Sequence, residues 1–159
     1  MTSTIDDSPK AAAAAVVDLV RTAKVGKCLV LMPFDDDHNR RYRSTVEPAV
    51  ARHMIPVNLG LLPSSEAIYT SFADSVRSAS AIIADVTQLN PNVMYEIGYA
   101  HGCNLTPLLY TRDAKRLENL PVYLKTLNIR LVDENVPLGR LIDEYLGSVK
   151  ARRLSSLTQ

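Results

Sequence analysis

The apolar run Ala81-Ile82-Ile83-Ala84 ends in Asp85, and Asn90-Pro91 follows shortly after. A run this short and this apolar, with β-branched residues at its centre, has the pattern of a strand buried on both faces of a parallel sheet. Asn90 suits a helix N-cap, and Pro91 suits the first helical position, where its missing N–H costs nothing. The segment therefore reads strand, short loop, helix. Parallel strands require such crossover helices, which restricts the chain to a layered α/β architecture. It also sets Asp85 at the carboxyl end of a strand, the edge at which open α/β sheets hold their ligands.

The same pattern repeats along the chain. Cys28-Leu29-Val30-Leu31-Met32, closed by Pro33 and the acidic run Asp35-Asp36-Asp37, reads as the first strand. Tyr42, Val46, Ala49 and Val50 recur at helical spacing across residues 38–53, with Pro48 predicting a kink or an early stop. A second strand is expected over 55–59. Ser64 or Ser65 can cap the next helix, whose buried stripe would be Ile68, Phe72, Val76 and Ala79. Residues 81–85 form the third strand, 92–102 the next helix, 106–110 the fourth strand and 129–132 the fifth. Leu138, Leu141, Ile142, Tyr145, Leu146 and Val149 mark an amphipathic final helix. Residues 111–126, charged and carrying Pro121, read as one long irregular loop of the kind that forms a lid or substrate loop.

At the N-terminus, Ser8-Pro9 opens an alanine-rich helix ending near Gly26. The expected organisation is an N-terminal helical extension over 1–26, an α/β domain over 27–151 and a polar tail over 152–159. Acidic Asp6 and Asp7 precede the alanine run and Asp18 interrupts it, which argues against a signal peptide. No apolar run approaches the roughly 20 residues needed to span a bilayer. The expectation is a soluble, cytoplasmic protein.

Eighteen basic and seventeen acidic side chains leave a formal charge of +1, so bulk charge gives no argument for binding a nucleic-acid polymer. The two cysteines, Cys28 and Cys103, make no CxxC pair and read as reduced thiols. His38, His53 and His101 are scattered without metal-ligand spacing. Dinucleotide, P-loop, GxSxG and CxxC fingerprints are absent. No cofactor or metal is implied.

Glu96 is the central chemical candidate. Early in a helix, its carboxylate would be favoured in the ionised form by free N–H groups and the helix dipole. An ionised carboxylate suits a nucleophile or a stabiliser of positive charge. Cleavage of a glycosidic bond passes through an oxocarbenium-like state that such a group stabilises or captures. Asp85 can orient a sugar hydroxyl, act as an acid, or cap its own turn through Thr87. Asn92 lies four residues before Glu96 and shares its helix face, while Asn90 serves as cap or ligand contact. The Pro33-Phe34-Asp35 loop ends the first strand and should face the same crevice as Asp85. Ser64 or Ser65, at a helix start, can hold a phosphate or simply cap. Arg40, Arg41 and Arg43 form a solvated face that can also attract an anion.

Leu31-Met32-Pro33-Phe34, Ala84-Asp85-Val86-Thr87, Asn90-Pro91-Asn92-Val93 and Tyr95-Glu96-Ile97-Gly98-Tyr99-Ala100 together resemble the nucleoside 2-deoxyribosyltransferase-like superfamily. That superfamily includes deoxynucleotide N-hydrolases, and its fold is related to TIR domains. The resemblance runs over about 28–133 and is most specific at Tyr95-Glu96-Ile97-Gly98. It implies a flavodoxin-like three-layer α/β/α sandwich with five parallel strands in the order 2-1-3-4-5, carrying the extra N-terminal helix. It implies Glu96 as nucleophile; from their expected placement at the same crevice, Asp85 and Asn92 would position a sugar, and Pro33, Phe34, Asp35 and Ser65 would line the base and phosphate ends. The implied ligand is a nucleoside, a nucleotide or, on the TIR-like side, NAD. The outcome would be hydrolysis, transfer, or binding by a non-catalytic signalling module. Where transferases carry a catalytic aspartate on the preceding helix, this chain has Phe72. The first-strand loop offers Phe34 and Asp35 where many transferases have a tyrosine. Family members commonly complete the pocket with a second subunit. Here Tyr95, Tyr99 and His101, with the 111–126 segment, would form the surface of a homodimer or higher homo-oligomer.

Overall fold

The computed structural model describes residues 26–61 and 65–157, with backbone alone for 61, 65–70 and 157. The expected N-terminal helix lies outside the described residues. Its expected end, Gly26, holds a φ of 91°, and a Cβ there would collide with the Ser80 side chain, so glycine is required twice over. Strand β1 spans Lys27–Leu31, β2 Ile55–Val57, β3 Ala79–Asp85, β4 Leu108–Thr111 and β5 Ile129–Leu131. All pairings are parallel, and the five strands form one sheet ordered β2-β1-β3-β4-β5. This is the flavodoxin-like order that the sequence reading expects, with Asp85 on the central strand.

Alternating side chains divide the core between the two faces. Cys28, Val30 and Ile83 point to one side, where Val46, Val50, Leu141, Ile142 and Leu146 cover them. Leu29, Leu31, Ile82 and Ala84 point to the other, beneath Phe72, Val76, Val93, Ile97 and Ala100. Helices α1 (Asp36–Arg41), α2 (Glu47–Ala51) and α6 (Leu138–Leu157) therefore make the first layer. Helices α3 (Ser65–Ser78), α4 (Pro91–Gly102) and α5 (Val122–Lys125) make the second. The neighbouring strands β1 and β3 send their connections to opposite faces, which opens a crevice at their carboxyl ends. Among the described residues, no helix is long and apolar enough to cross a membrane.

Several local expectations are corrected. The break in the 38–53 helix comes before Pro48 rather than at it, as a π turn over Tyr42–Val46 in which the Glu47 N–H donates to the Tyr42 carbonyl. Pro48 has no N–H to offer Ser44, so the ladder widens ahead of it, and Pro48 itself occupies the first turn of α2. Strand β2 stops at Val57 because the Asn58 side chain accepts the Gly60 N–H at 3.1 Å and turns the chain into a 3₁₀ turn, Leu59–Leu61. Ala79 begins β3 instead of ending the preceding helix stripe.

Residues 111–126 are not an irregular lid. They form a 3₁₀ turn, Ala114–Leu117, and α5, with Leu120 and Leu124 buried in the core beside β4. Periodicity could not find them because each element is about one turn long. Helix α6 continues to Leu157, so the stretch read as a tail from Arg152 is an exposed helical end, at least through 157. Cys28 is buried in β1 and its thiol is pushed up to about 12 by burial, while Cys103 is exposed at the end of α4.

Candidate functional site

Strand β1 delivers Met32, Pro33 and Phe34 to the crevice, the first two buried and Phe34 exposed. The Phe34 ring lies so close over Gly60 that a Cβ there would overlap it, so glycine allows the ring to settle on the backbone. Asp35 then caps α1. One carboxylate oxygen accepts a hydrogen bond from the His38 backbone N–H at 2.9 Å and the other accepts one from His38 Nδ1–H at 2.7 Å. These two bonds hold the Asp35 carboxyl below its ordinary range. They also fix the imidazole, because a carboxylate only accepts and Nδ1 must carry the hydrogen. His38 is 1% exposed, and its free Nε2 lies 3.9 Å from an Asp85 oxygen.

Asp85 is also 1% exposed. Its Oδ1 accepts the Thr87 N–H at 2.9 Å, the turn-capping geometry, and its Oδ2 receives Arg112 Nη2 at 3.4 Å. Thr87 joins two loops. Its hydroxyl accepts the Arg112 N–H at 3.1 Å, and its carbonyl accepts Arg116 Nε at 3.0 Å. The β3–α4 loop is thereby fastened to the segment after β4. Within it Leu89 holds a φ of 48°, which costs a non-glycine residue about 1 kcal/mol or more. Packing of the Leu89 side chain against the core helps hold that conformation.

Asn90 acts as the cap. Its side-chain oxygen accepts the N–H groups of Asn92 at 2.9 Å and Val93 at 3.4 Å. Asn92 is exposed in the first turn of α4, and Glu96 is half-buried one turn later. The expected stabilisation of an ionised Glu96 is corrected here. As the sixth residue of α4, Glu96 lies past the free N–H groups of the first turn, and burial pushes its carboxyl up to about 7. Near neutrality it can hold or give up a proton, which suits acid–base work as well as attack.

The structure thus gathers Pro33, Phe34, Asp35 and Asp85 at one end of β1 and β3, with His38 linking the two aspartates. Glu96 and Asn92 stand on α4, in the opposite helical layer. Among the described residues, Asp85's hydrogen bonds and ion pairs run to His38, Thr87, Tyr110 and Arg112 and not to Glu96. Ser65 begins α3, but its side chain lies outside the described residues. Phe72 is 3% exposed and its ring meets Tyr99 at 5.2 Å, so the position that carries an aspartate in transferases is core in this chain. The same contact makes Tyr99 a sheet-covering residue within one subunit.

Sequence reasoning missed His38, Tyr110 and Arg112 as site residues. The register pairing of Asp85 with Tyr110 brings Tyr110 to the crevice. An arginine two residues beyond a buried strand-end aspartate's partner was a signal available in the sequence, but only the strand pairing gives it meaning. Among the described residues, no group of three His, Cys, Asp or Glu side chains is arranged to hold a metal.

The fold and site together define a flavodoxin-like α/β domain with a charged crevice at the switch between β1 and β3. No family model matches the chain, and no curated protein matches it. Among solved structures, it is similar to a pilus assembly-related protein from Burkholderia pseudomallei, at 18% identity over 79% of this chain and 89% of that one, with a TM-score of 0.49.

Proposed function

We propose that the protein acts on the N-glycosidic bond of a nucleoside- or nucleotide-type ligand, with Glu96 as the reacting carboxyl. The observation that carries this reading is a half-buried glutamate with its carboxyl raised to about 7, on the helix that follows the central strand of a crevice-forming sheet. In the reaction, ionised Glu96 would bond to or stabilise the sugar carbon as the carbon–nitrogen bond breaks and the base leaves with a proton from solvent. Addition of water or an acceptor hydroxyl to that carbon would then release the carboxylate, which takes up the proton the nucleophile loses. Phe34, exposed at the crevice mouth, supplies an apolar face for a base, and Asn92 supplies an amide for the sugar.

The test is incubation of the purified protein with deoxynucleotides, ribonucleotides and NAD, measuring released base or nicotinamide. Glu96→Gln is expected to lower turnover at least about 100-fold, as loss of a proton-transferring or nucleophilic group does. Release of nicotinamide alone would assign the TIR-like reaction. Binding without release of any base would leave a nucleotide-binding module.

The same reading includes a homodimer. Tyr95, Val122 and Tyr123 are exposed, the last at 85%, beside a groove of about 310 Å³ lined by Met94, Ile97, His101, Pro121, Leu124 and Leu127. Tyr123→Glu should shift a dimeric wild type to monomer in light scattering, because a carboxylate cannot be desolvated in an apolar contact. A monomeric wild type at micromolar concentration would remove the shared pocket.

A further inference from the structure

The formal charge of +1 conceals an uneven distribution over the molecule. In a parallel sheet each crossover helix returns the chain to the amino-terminal edge, opposite the crevice. At that edge β1 starts with Lys27, Arg52 ends α2 shortly before β2, and Arg77 stands in the last turn of α3 just before β3. Helix α6 runs past the same edge. Val149 is its last buried residue among those described, and the stretch from Lys150 to Leu157 carries the helix on by roughly 12 Å. Arg153 donates from Nη1 to the Ser80 hydroxyl near the start of β3 and lies against Gly26, which sets the α6 cations beside Lys27.

Six cations thus gather at this edge: Lys27, Arg52, Arg77, Lys150, Arg152 and Arg153. All but the half-buried Lys150 are exposed. Residues 26–27, 52–55, 75–80 and 150–157, which form the edge, contain no Asp or Glu. Two carboxylates reach it from outside, Asp74 on Arg77 at 3.2 Å and Asp143 on Arg52 at 2.6 Å. The surplus is four positive charges, so the rest of the chain carries a formal −3. Residues 1–25, outside the described ones, hold three acids and three bases and leave this balance unchanged. The helix dipole favours a cation at a helix carboxyl end and accounts for Arg52 and Arg77. Its effect falls off within the last turn, so it does not account for Lys150, Arg152 and Arg153, which precede the last turn of α6, nor for Lys27 on its strand.

We infer that this edge docks the phosphate backbone of a nucleic-acid duplex without reading its sequence. Among the described residues, Ile55 is the one exposed large apolar side chain at the edge. A protein partner would need an apolar centre to the contact, and an anionic membrane would need an apolar anchor beside the cations. Unpaired bases would need exposed aromatic rings on which to stack. Phosphate contacts by Lys and Arg supply affinity for a duplex by themselves. The edge lies at the other end of the strands from Phe34 and Asp85, so a bound duplex leaves the crevice open. The inference is therefore independent of the N-glycosidic reading.

The test is fluorescence anisotropy of a labelled mixed-sequence duplex of about 20 base pairs, as DNA and as RNA, titrated with the full chain from about 50 to 200 mM salt. Four neutralised phosphates predict micromolar affinity that falls about 100-fold across that series. Arg152→Glu combined with Arg153→Glu should weaken binding at least about tenfold at the lowest salt and flatten the salt dependence. Lys27→Glu, on a separate element, should weaken it several-fold. Arg40→Glu combined with Arg43→Glu makes the same charge change at the crevice edge and should bind like the wild type. All these side chains are exposed, so the thermal midpoints should hold. Equal binding of the two duplexes supports recognition of the backbone alone, and a preference for one supports it while naming the source. The inference is overturned if neither duplex binds at about 50 mM salt, or if the two double variants lose affinity equally. It is also overturned if polyglutamate or phosphatidylserine vesicles displace the labelled duplex more strongly than unlabelled duplex does.

Discussion

Glu96→Gln is expected to unfold at a higher urea concentration than the wild type at pH 8, and at nearly the same concentration at pH 4. The Glu96 carboxyl rises from its ordinary 4.5 to about 7 because burial penalises its charged form. Below the unfolded value the group is neutral whether the chain is folded or not, and it contributes no difference. Between the two values the unfolded chain ionises while the folded one keeps its proton, so stability falls as pH rises. Above about 7 both are ionised and the full deficit remains. The displacement corresponds to at most about 3 kcal/mol, and water reaching a half-buried side chain reduces the expected gain to about 1–2 kcal/mol. Glutamine has no such deficit. Equal stabilities of the two proteins across pH 4–8 would show that Glu96 ionises at its ordinary value. A variant that loses turnover while gaining stability at pH 8 would mark Glu96 as kept for chemistry at the expense of the fold.

Arg112→Met should destabilise the protein by about 3 kcal/mol, the low end of the range for removing one partner from a buried ion pair. Asp85 is almost wholly enclosed, and without Arg112 its carboxylate is left with uncharged hydrogen-bond donors, the Thr87 N–H and the Tyr110 hydroxyl. The backbone bond from Arg112 to Thr87 is untouched by the substitution, so the loss reports the side chain. Asp85→Asn combined with Arg112→Met should recover at least half of it, since the uncompensated charge is then gone. Urea melts of the two single variants and the double variant measure this. Strictly additive losses would mean that Asp85 and Arg112 do not sustain one another.

The parallel sheet and the helix behind Glu96 were legible in the sequence, because buried strands and caps leave strong local signals, whereas the strand order followed from the family resemblance. Ala81 to Ala84 could be little else than a central strand, and Asn90-Pro91 starts α4 as written. The crevice was only half legible. Asp35 and Asp85 could be set at strand ends by counting residues. That His38 bridges them follows from the turn of α1, and that Tyr110 and Arg112 stand beside Asp85 follows from the β3–β4 register. Pairing between strands twenty or more residues apart is not encoded in local periodicity. The protonation of Glu96 was misjudged for a related reason. Position in a helix can be counted from sequence, but the burial that outweighs the helix dipole cannot.

The contrast between the two cysteines gives the chain a built-in handle for spectroscopy. A thiol-reactive fluorophore meets an enclosed, poorly ionised sulfur in β1 and an accessible one at the far end of the helix that bears Glu96. Thiolate formation and access govern alkylation, so the dye should attach at Cys103 and leave Cys28 unmodified while the fold is intact. The native sequence therefore accepts one label at a defined place with no engineered site. Its emission would follow movements at that end of the catalytic-candidate helix as ligands are added, and a second equivalent of dye taken up would announce the opening of the sheet itself.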